Sequence, residues 1–258
     1  MHVVDTGTGP PLVLLHAYPL DSGMWDAVRG RLSERLRVIV PDLRGFGRSP
    51  LPPGDEPSVE ALADDVVAML DELALDRVVL GGCSMGGYVA MAVLRKAAER
   101  VERLVLVDTR PDADDFDRRA ARLATAARAE QEGTDWLPDT LLPGLLASGT
   151  PDRRAELVGT VRAMIIAQPA EGVAWALRAM AQRPDSADVL RDFDRPALVV
   201  VGERDALSPP EVSRQLAGLL PDAELVEIPG AGHLTPMEAP DEVADAILSW
   251  LGLPASAG

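Results

Sequence analysis

Gly82-Cys83-Ser84-Met85-Gly86 is the segment of this 258-residue chain best suited to do chemistry. It follows the apolar run Val78-Val79-Leu80-Gly81 and precedes Tyr88-Val89-Ala90-Met91-Ala92-Val93-Leu94, a stretch of helical composition. A strand-to-helix turn this tight leaves no room for Cβ atoms beside its apex, and Gly82 and Gly86 meet that demand while Ser84 is lifted above the sheet. A serine hydroxyl is a weak nucleophile at neutral pH and needs a histidine to take its proton and return it to the leaving group. His2 sits at the terminus and His16 belongs to a separate loop, which leaves His233 in Pro229-Gly230-Ala231-Gly232-His233-Leu234. The acid that orients this histidine is expected between serine and histidine in chain order, just past a strand. Asp205, in Gly202-Glu203-Arg204-Asp205-Ala206-Leu207-Ser208, fits that place; Asp108 is its rival, and Glu203 and Asp222 are further acids of the same region.

Attack on a carbonyl creates an oxyanion that needs two backbone N–H donors. Met85, following the nucleophile, supplies one. The other is expected from the loop His16-Ala17-Tyr18-Pro19, where Pro19 has no N–H and the amide of Tyr18 is preferred to that of Ala17. Cys83 precedes the apex and should point into the protein as packing, and Asp42 and Arg44 read as braces for the site loops.

These residues must be held by a frame. Short β-branched and apolar runs at 11–15, 37–40, 77–80, 103–107, 197–201 and 224–228 predict six buried strands. They alternate with segments of helical period at 25–36, 59–73, 85–98, 211–220 and 242–251, the pattern of a mostly parallel α/β sheet covered on both faces. Residues 111–195 break the alternation. Without a convincing strand, and with breaks at Gly133, Pro138, Pro143, Gly149, Pro169 and Pro184, they predict three to five helices. The expected organisation is a core of 1–110 and 196–258 with a helical cap of 111–195 over the ligand-binding end of the sheet. Residues 50–57 and 254–258 read as irregular.

Composition narrows the function. With 41 acidic and 25 basic residues the formal charge is −16, which repels nucleic acid and anionic lipid. No run approaches the roughly 18 apolar residues of a membrane span and no basic-then-apolar leader opens the chain, so a cytoplasmic protein is expected. One cysteine gives no internal disulfide, and three scattered histidines give no metal cluster, so no metal or cofactor is expected. Asp112, Asp114, Asp115 and Asp117 read as a solvated helix start. Apolar residues of the insertion, Trp136, Leu141, Leu145, Trp175 and Met180 among them, with Leu234 beside the histidine, are the expected substrate contacts. An anionic substrate would call for a local basic patch, for which Arg162 and Arg178 are at hand.

Together these segments resemble the α/β-hydrolase superfamily, in particular small bacterial carboxylesterases, enol-lactonases and cofactor-free haloperoxidase or perhydrolase relatives. Val13-Leu14-Leu15-His16-Ala17-Tyr18-Pro19 is similar to the family's oxyanion segment, Pro41-Asp42-Leu43-Arg44-Gly45-Phe46-Gly47-Arg48-Ser49 to its Asp-x-Arg-Gly segment, and the Ser84, Asp205 and His233 stretches to its triad. Ala17 stands where the family usually has glycine. The resemblance implies the α/β-hydrolase fold, a cap inserted after the family's sixth strand, and N-terminal edge strands of which one or two are missing or shortened here. It also implies a serine hydrolase of a small-molecule ester or lactone. Acyl transfer, perhydrolysis and carbon–carbon bond hydrolysis use the same triad and stay open, as does a non-catalytic ligand-binding receptor. A dehalogenase is disfavoured, since those relatives carry aspartate at the apex where this chain has Ser84. Monomer and homodimer are both open.

Overall fold

The computed structural model describes residues 1–253; the tail read as irregular at 254–258 lies outside the described residues. Seven strands form one sheet: β1 (Val3–Thr6), β2 (Pro11–Leu15), β3 (Arg37–Pro41), β4 (Val78–Cys83), β5 (Val101–Val107), β6 (Ala197–Gly202) and β7 (Ala223–Ile228), in the order β1-β3-β2-β4-β5-β6-β7. β1 runs antiparallel to β3 and the remaining pairs are parallel. All six expected strands are present. β1 is the addition: four residues carrying Asp5 and Thr6 lack the apolar run that marks a buried strand, yet they pair along β3 from Val3 opposite Pro41 to Thr6 opposite Val38. β7 is a correction, since as an edge strand it is buried only at its last residue and exposes Glu224 and Glu227.

The helices that connect the strands are α1 (Asp26–Leu32), α2 (Val59–Glu72), α3 (Met85–Ala97) and α10 (Pro210–Ala217), and α11 (Thr235–Glu238) and α12 (Pro240–Trp250) follow β7. Six more occupy the interval between β5 and β6: α4 (Phe116–Glu132), α5 (Leu137–Leu145), α6 (Thr150–Arg153), α7 (Ala155–Ile166), α8 (Ala170–Gln182) and α9 (Ala187–Arg191). That is one more than the upper expectation, because α6 is a single turn cut from α7 at Arg154. Local chemistry sets the ends. Ser58 caps α2 by accepting from the Ala61 N–H, Asp115 caps α4 by accepting from the Arg118 N–H at 2.8 Å, and Gly133 ends α4 with a φ of 76°. Pro143 was expected to break a helix but lies inside α5.

β2, β3, β4 and β6 are almost wholly buried, and Trp25 and Phe46 are the largest fully buried side chains beside them. Each such aliphatic side chain contributes about 1.5–3 kcal/mol by leaving water, so the central strands anchor the molecule. The sequence runs outward from that core into the helical segment, where α8 packs on α4 and reaches the loop after β3. There Gly172 is backed against the chain, and a Cβ on it would sit 1.9 Å from the Gly45 carbonyl oxygen.

This contact yields a paired prediction. Gly172→Ala must push backbone aside and is expected to destabilise the fold by about 1–3 kcal/mol. Gly159→Ala, in the open on α7, has nothing within 4 Å to meet and is expected to stabilise by up to about 1 kcal/mol. Urea unfolding midpoints of the two variants check both signs.

Candidate functional site

Ser84 joins β4 to α3 with a φ of 51° and a ψ of −110°, a backbone strained for any residue with a side chain. The strain is held from both sides. The Ser84 N–H donates to the Val107 carbonyl at 2.9 Å, and the Thr109 hydroxyl donates to the Ser84 carbonyl at 2.8 Å. A Cβ on Gly82 would stand 2.2 Å from the Gly86 carbonyl carbon, and one on Gly86 would stand 2.3 Å from the Leu15 carbonyl oxygen. Both glycines are therefore required by close backbone approach.

His233 comes from the loop between β7 and α11, and its Nδ1 lies 2.8 Å from Asp205 Oδ2. A carboxylate can only accept, so Nδ1 carries the hydrogen and Nε2 is left to accept from the Ser84 hydroxyl, also at 2.8 Å. Asp205 follows β6 and divides its oxygens. Oδ1 accepts from the Leu207 and Ser208 N–H groups at 2.8 and 2.9 Å, which fixes the carboxylate, while Oδ2 serves the histidine. Burial by itself would lower the His233 pKa, but the charge and hydrogen bond of Asp205, joined by Asp108, outweigh it and hold the imidazole above its ordinary value.

Asp108, the rival acid, is fully buried and has a positive φ of 47°. Its hydrogen bonds go to backbone and not to the histidine ring. Oδ1 accepts from the Gly202 N–H at 2.9 Å and Oδ2 from the Thr235 N–H at 3.0 Å, so one carboxylate ties the end of β6 to the histidine loop. Burial, and then the neighbouring charge of Asp205, push its pKa up. Of the other two acids, Glu203 accepts from the Gly230 N–H, and Asp222 precedes β7 at the far end of a parallel strand.

His16 is fully buried. Its Nε2 accepts from the Leu43 N–H at 2.9 Å, so Nδ1 carries the hydrogen and donates to the Ala17 carbonyl at 2.9 Å. Burial lowers its pKa, in keeping with a neutral ring that braces two loops. The Ala17 N–H is consumed by Met24 Sδ at 3.1 Å, leaving Tyr18 as the loop's neighbouring amide. Met85 opens α3, where an N–H has no acceptor within the helix. Cys83 is fully buried with Sγ 3.9 Å from the His233 carbonyl, and burial pushes its thiol pKa far up. Asp42 accepts from the Ser22 and Arg48 N–H groups, and Arg44 pairs with Asp65 and Asp55, so that segment ties loops together.

Ser84 and His233 open into a cavity of about 330 Å³ whose wall includes Tyr18, Leu141, Leu145 and Met180. Three expected contacts need correction. Trp136 turns its indole N–H to the Gly133 carbonyl at 2.8 Å under the Arg128 guanidinium, and Trp175 gives its own to the Asp55 carbonyl at 3.0 Å, so neither ring lines the cavity. Leu234 is fully buried, with its N–H on the Leu145 carbonyl. The basic side chains are also different ones. Arg162 pairs with Asp139 and Arg178 with Glu130, whereas Arg110, Arg118 and Arg122 line the wall. Arg118, Ala121, Arg122 and Thr125 lie there at i, i+3, i+4 and i+7 along α4, a helical face whose spacing the sequence carries but whose residues are mostly polar. Asp114 is a further correction: far from solvated, its side chain is wholly buried between Arg122 and Arg183. Among the described residues no group of three or more His, Cys, Asp or Glu is placed to hold a metal ion, and no helix is long and apolar enough to cross a membrane.

The comparisons with known proteins agree on the frame. The structure superposes on a thermophilic esterase from Thermogutta terrifontis with a TM-score of 0.95 and 44% identity, covering 99% of this chain and 94% of that one. An enol-lactonase from Burkholderia xenovorans LB400 gives 0.90 and 28%, covering 97% and 96%. In sequence, haloalkane dehalogenase 2 of Mycobacterium tuberculosis is 31% identical over 98% of this chain and 91% of its own length. Residues 10–240 match the alpha/beta hydrolase fold family, and with a seven-stranded sheet whose fifth strand leads into the helical insertion, the chain belongs to that family.

Proposed function

We propose that the protein is a serine hydrolase of carboxylic esters or lactones, with Ser84 as nucleophile, His233 as general base and acid, and Asp205 as the orienting carboxylate. The observation that carries this reading is the imidazole of His233 spanning two 2.8 Å contacts, to Ser84 Oγ and to Asp205 Oδ2. Ser84 Oγ attacks the carbonyl carbon as Nε2 takes its proton. The oxyanion is received by the Tyr18 and Met85 N–H groups, where one donor of this kind typically contributes about 10²–10³ in rate. Collapse expels the alcohol, which leaves with the proton held on Nε2, and a water deprotonated by the same nitrogen frees the acyl group. The helical segment 111–195 acts as the cap over the cavity. Similarity to an esterase and an enol-lactonase supports ester or lactone chemistry. The dehalogenase similarity carries less weight here, because Ser84 occupies the apex where those relatives place aspartate.

Three predictions follow from these contacts. A fluorophosphonate probe is expected to label the wild type and to leave Ser84→Ala, still folded, unlabelled; labelling that persists in the variant removes Ser84 from its role. Asp205→Asn is expected to lower kcat for a p-nitrophenyl ester by about 10⁴. Asp108→Asn, which turns an amide N–H toward a backbone donor without touching the imidazole, is expected to cost about 10–100-fold together with about 1–3 kcal/mol of stability. A reversed ranking in kcat would make Asp108 the acid.

The third concerns pH. The base works only when neutral, and Asp205 holds His233 above the ordinary 6.5. The kcat/KM profile should therefore fall as pH drops through a midpoint above 6.5, and a midpoint at or below that value would show that the Asp205 charge does not govern the base.

A further inference from the structure

Three guanidinium groups stand in the wall of the Ser84 cavity, and two of them are matched. Arg110 meets Asp112 Oδ2 through two nitrogens at 3.0 Å, and Arg118 lies 3.7 Å from Asp115 near solvent. Arg122 is different. Its Nε is 2.5 Å from Asp114 Oδ2, but Asp114 Oδ1 is 2.7 Å from Arg183, so two cations share one carboxylate. The side chains of Asp114 and Arg183 are 0% and 3% exposed and that of Arg122 is 22% exposed, leaving one net positive charge with little water around it. Arg183 finds partial relief over the Tyr88 ring at 4.0 Å; of the two cations it is Arg122 that borders the cavity, beside Asp114 itself. A buried charge without a counterion is costly, and an anion entering from the cavity would offset it.

A second group points the same way. The Tyr18 hydroxyl is buried in the same wall and has no hydrogen-bond partner. Burial keeps it protonated, so it is a donor in want of an acceptor. Arg122 and Tyr18 line the same cavity as Ser84 and His233, and the Arg122 charge is felt at both Tyr18 and His233.

We infer that Arg122 and the Tyr18 hydroxyl form a subsite for one substrate carboxylate, so that the substrate is a monoanionic ester or lactone acid. The inference rests on the serine hydrolase reading and specifies its substrate class. One carboxylate cancels the single surplus charge and accepts from both donors, with the apolar wall of Leu141, Leu145 and Met180 left to hold the methylene chain between carboxylate and ester. A second carboxylate on the substrate would find no further unmatched cation in the wall.

The test uses the full chain. In a Ser84→Ala background, calorimetric titration is expected to show monomethyl glutarate bound at least about tenfold more tightly than dimethyl glutarate. Arg122→Gln should abolish that preference, Arg122→Lys should keep part of it, and Tyr18→Phe, which retains the backbone amide, should reduce it several-fold. With Ser84 in place, the kcat/KM ratio of mono-p-nitrophenyl glutarate to p-nitrophenyl valerate should fall in the same order, chiefly through KM. Equal binding of the two glutarates, or a preference that survives in folded Arg122→Gln, overturns the subsite; should Arg122→Gln fail to fold, an undiminished preference in both Tyr18→Phe and Arg122→Lys overturns it. A monoacid preference without turnover of either nitrophenyl ester would instead overturn the hydrolase reading and leave the subsite standing.

Discussion

The close approach of α3 to the strands beneath it is the constraint on which the rest of the molecule depends. Gly86 lies against the Leu15 carbonyl of β2 and Gly82 against Gly86 itself, with distances that no side chain could share. That contact sets the strained φ of Ser84, and hydrogen bonds from Ser84 to β5 and from Thr109 back to Ser84 hold it. Because strain of this kind costs of order 1–3 kcal/mol, it persists only where surrounding packing over-determines it. The buried runs of β2, β4 and β5 supply that packing. The hydroxyl is thereby fixed relative to the carboxyl ends of β5 and β6, where the acids stand.

Two aspartates at those ends divide the work of one. Asp205 gives one oxygen to its own loop and the other to His233, while Asp108 gives both oxygens to backbone, clamping β6 to the histidine loop. The separation has an electrostatic consequence. Two buried carboxylates near one imidazole both favour its cationic form, which is the form the proposed mechanism reaches once the serine proton has moved. Burial, and after it the charge of Asp205, raise the pKa of Asp108. A backbone clamp thus also contributes to the field at the His233 imidazole.

How much of this was legible in the chain follows from which forces are local. The strand runs and the glycine-flanked turn at Ser84 are local patterns, and the strands and the turn lie where those residues stand. β1 was missed because pairing with β3, not its own composition, makes Val3–Thr6 a strand. The cavity wall was misread for a related reason. Trp136 and Trp175 attract attention as large apolar groups, but each donates its indole N–H to a backbone carbonyl, of Gly133 and Asp55, and neither ring lines the cavity. Arg122 was passed over because its environment is built by Asp114 and Arg183, whose meeting with α4 is a product of tertiary structure.

A chain of net charge −16 that keeps a surplus cation beside its candidate nucleophile is using charge against its own average. Exposed pairs such as Arg178 with Glu130 contribute at most about 1 kcal/mol each and are interchangeable along the surface. The Asp114 cluster is of another kind, because its charges are screened by protein and not by water, and imbalance there is felt across the cavity. The acidic exterior slows the approach of anions in general, so on the proposed reading discrimination among them falls to Arg122, which shares a single carboxylate with Arg183. Selectivity in this molecule would then come from a fixed buried charge set into the wall by α4, with the triad itself indifferent to which acid arrives.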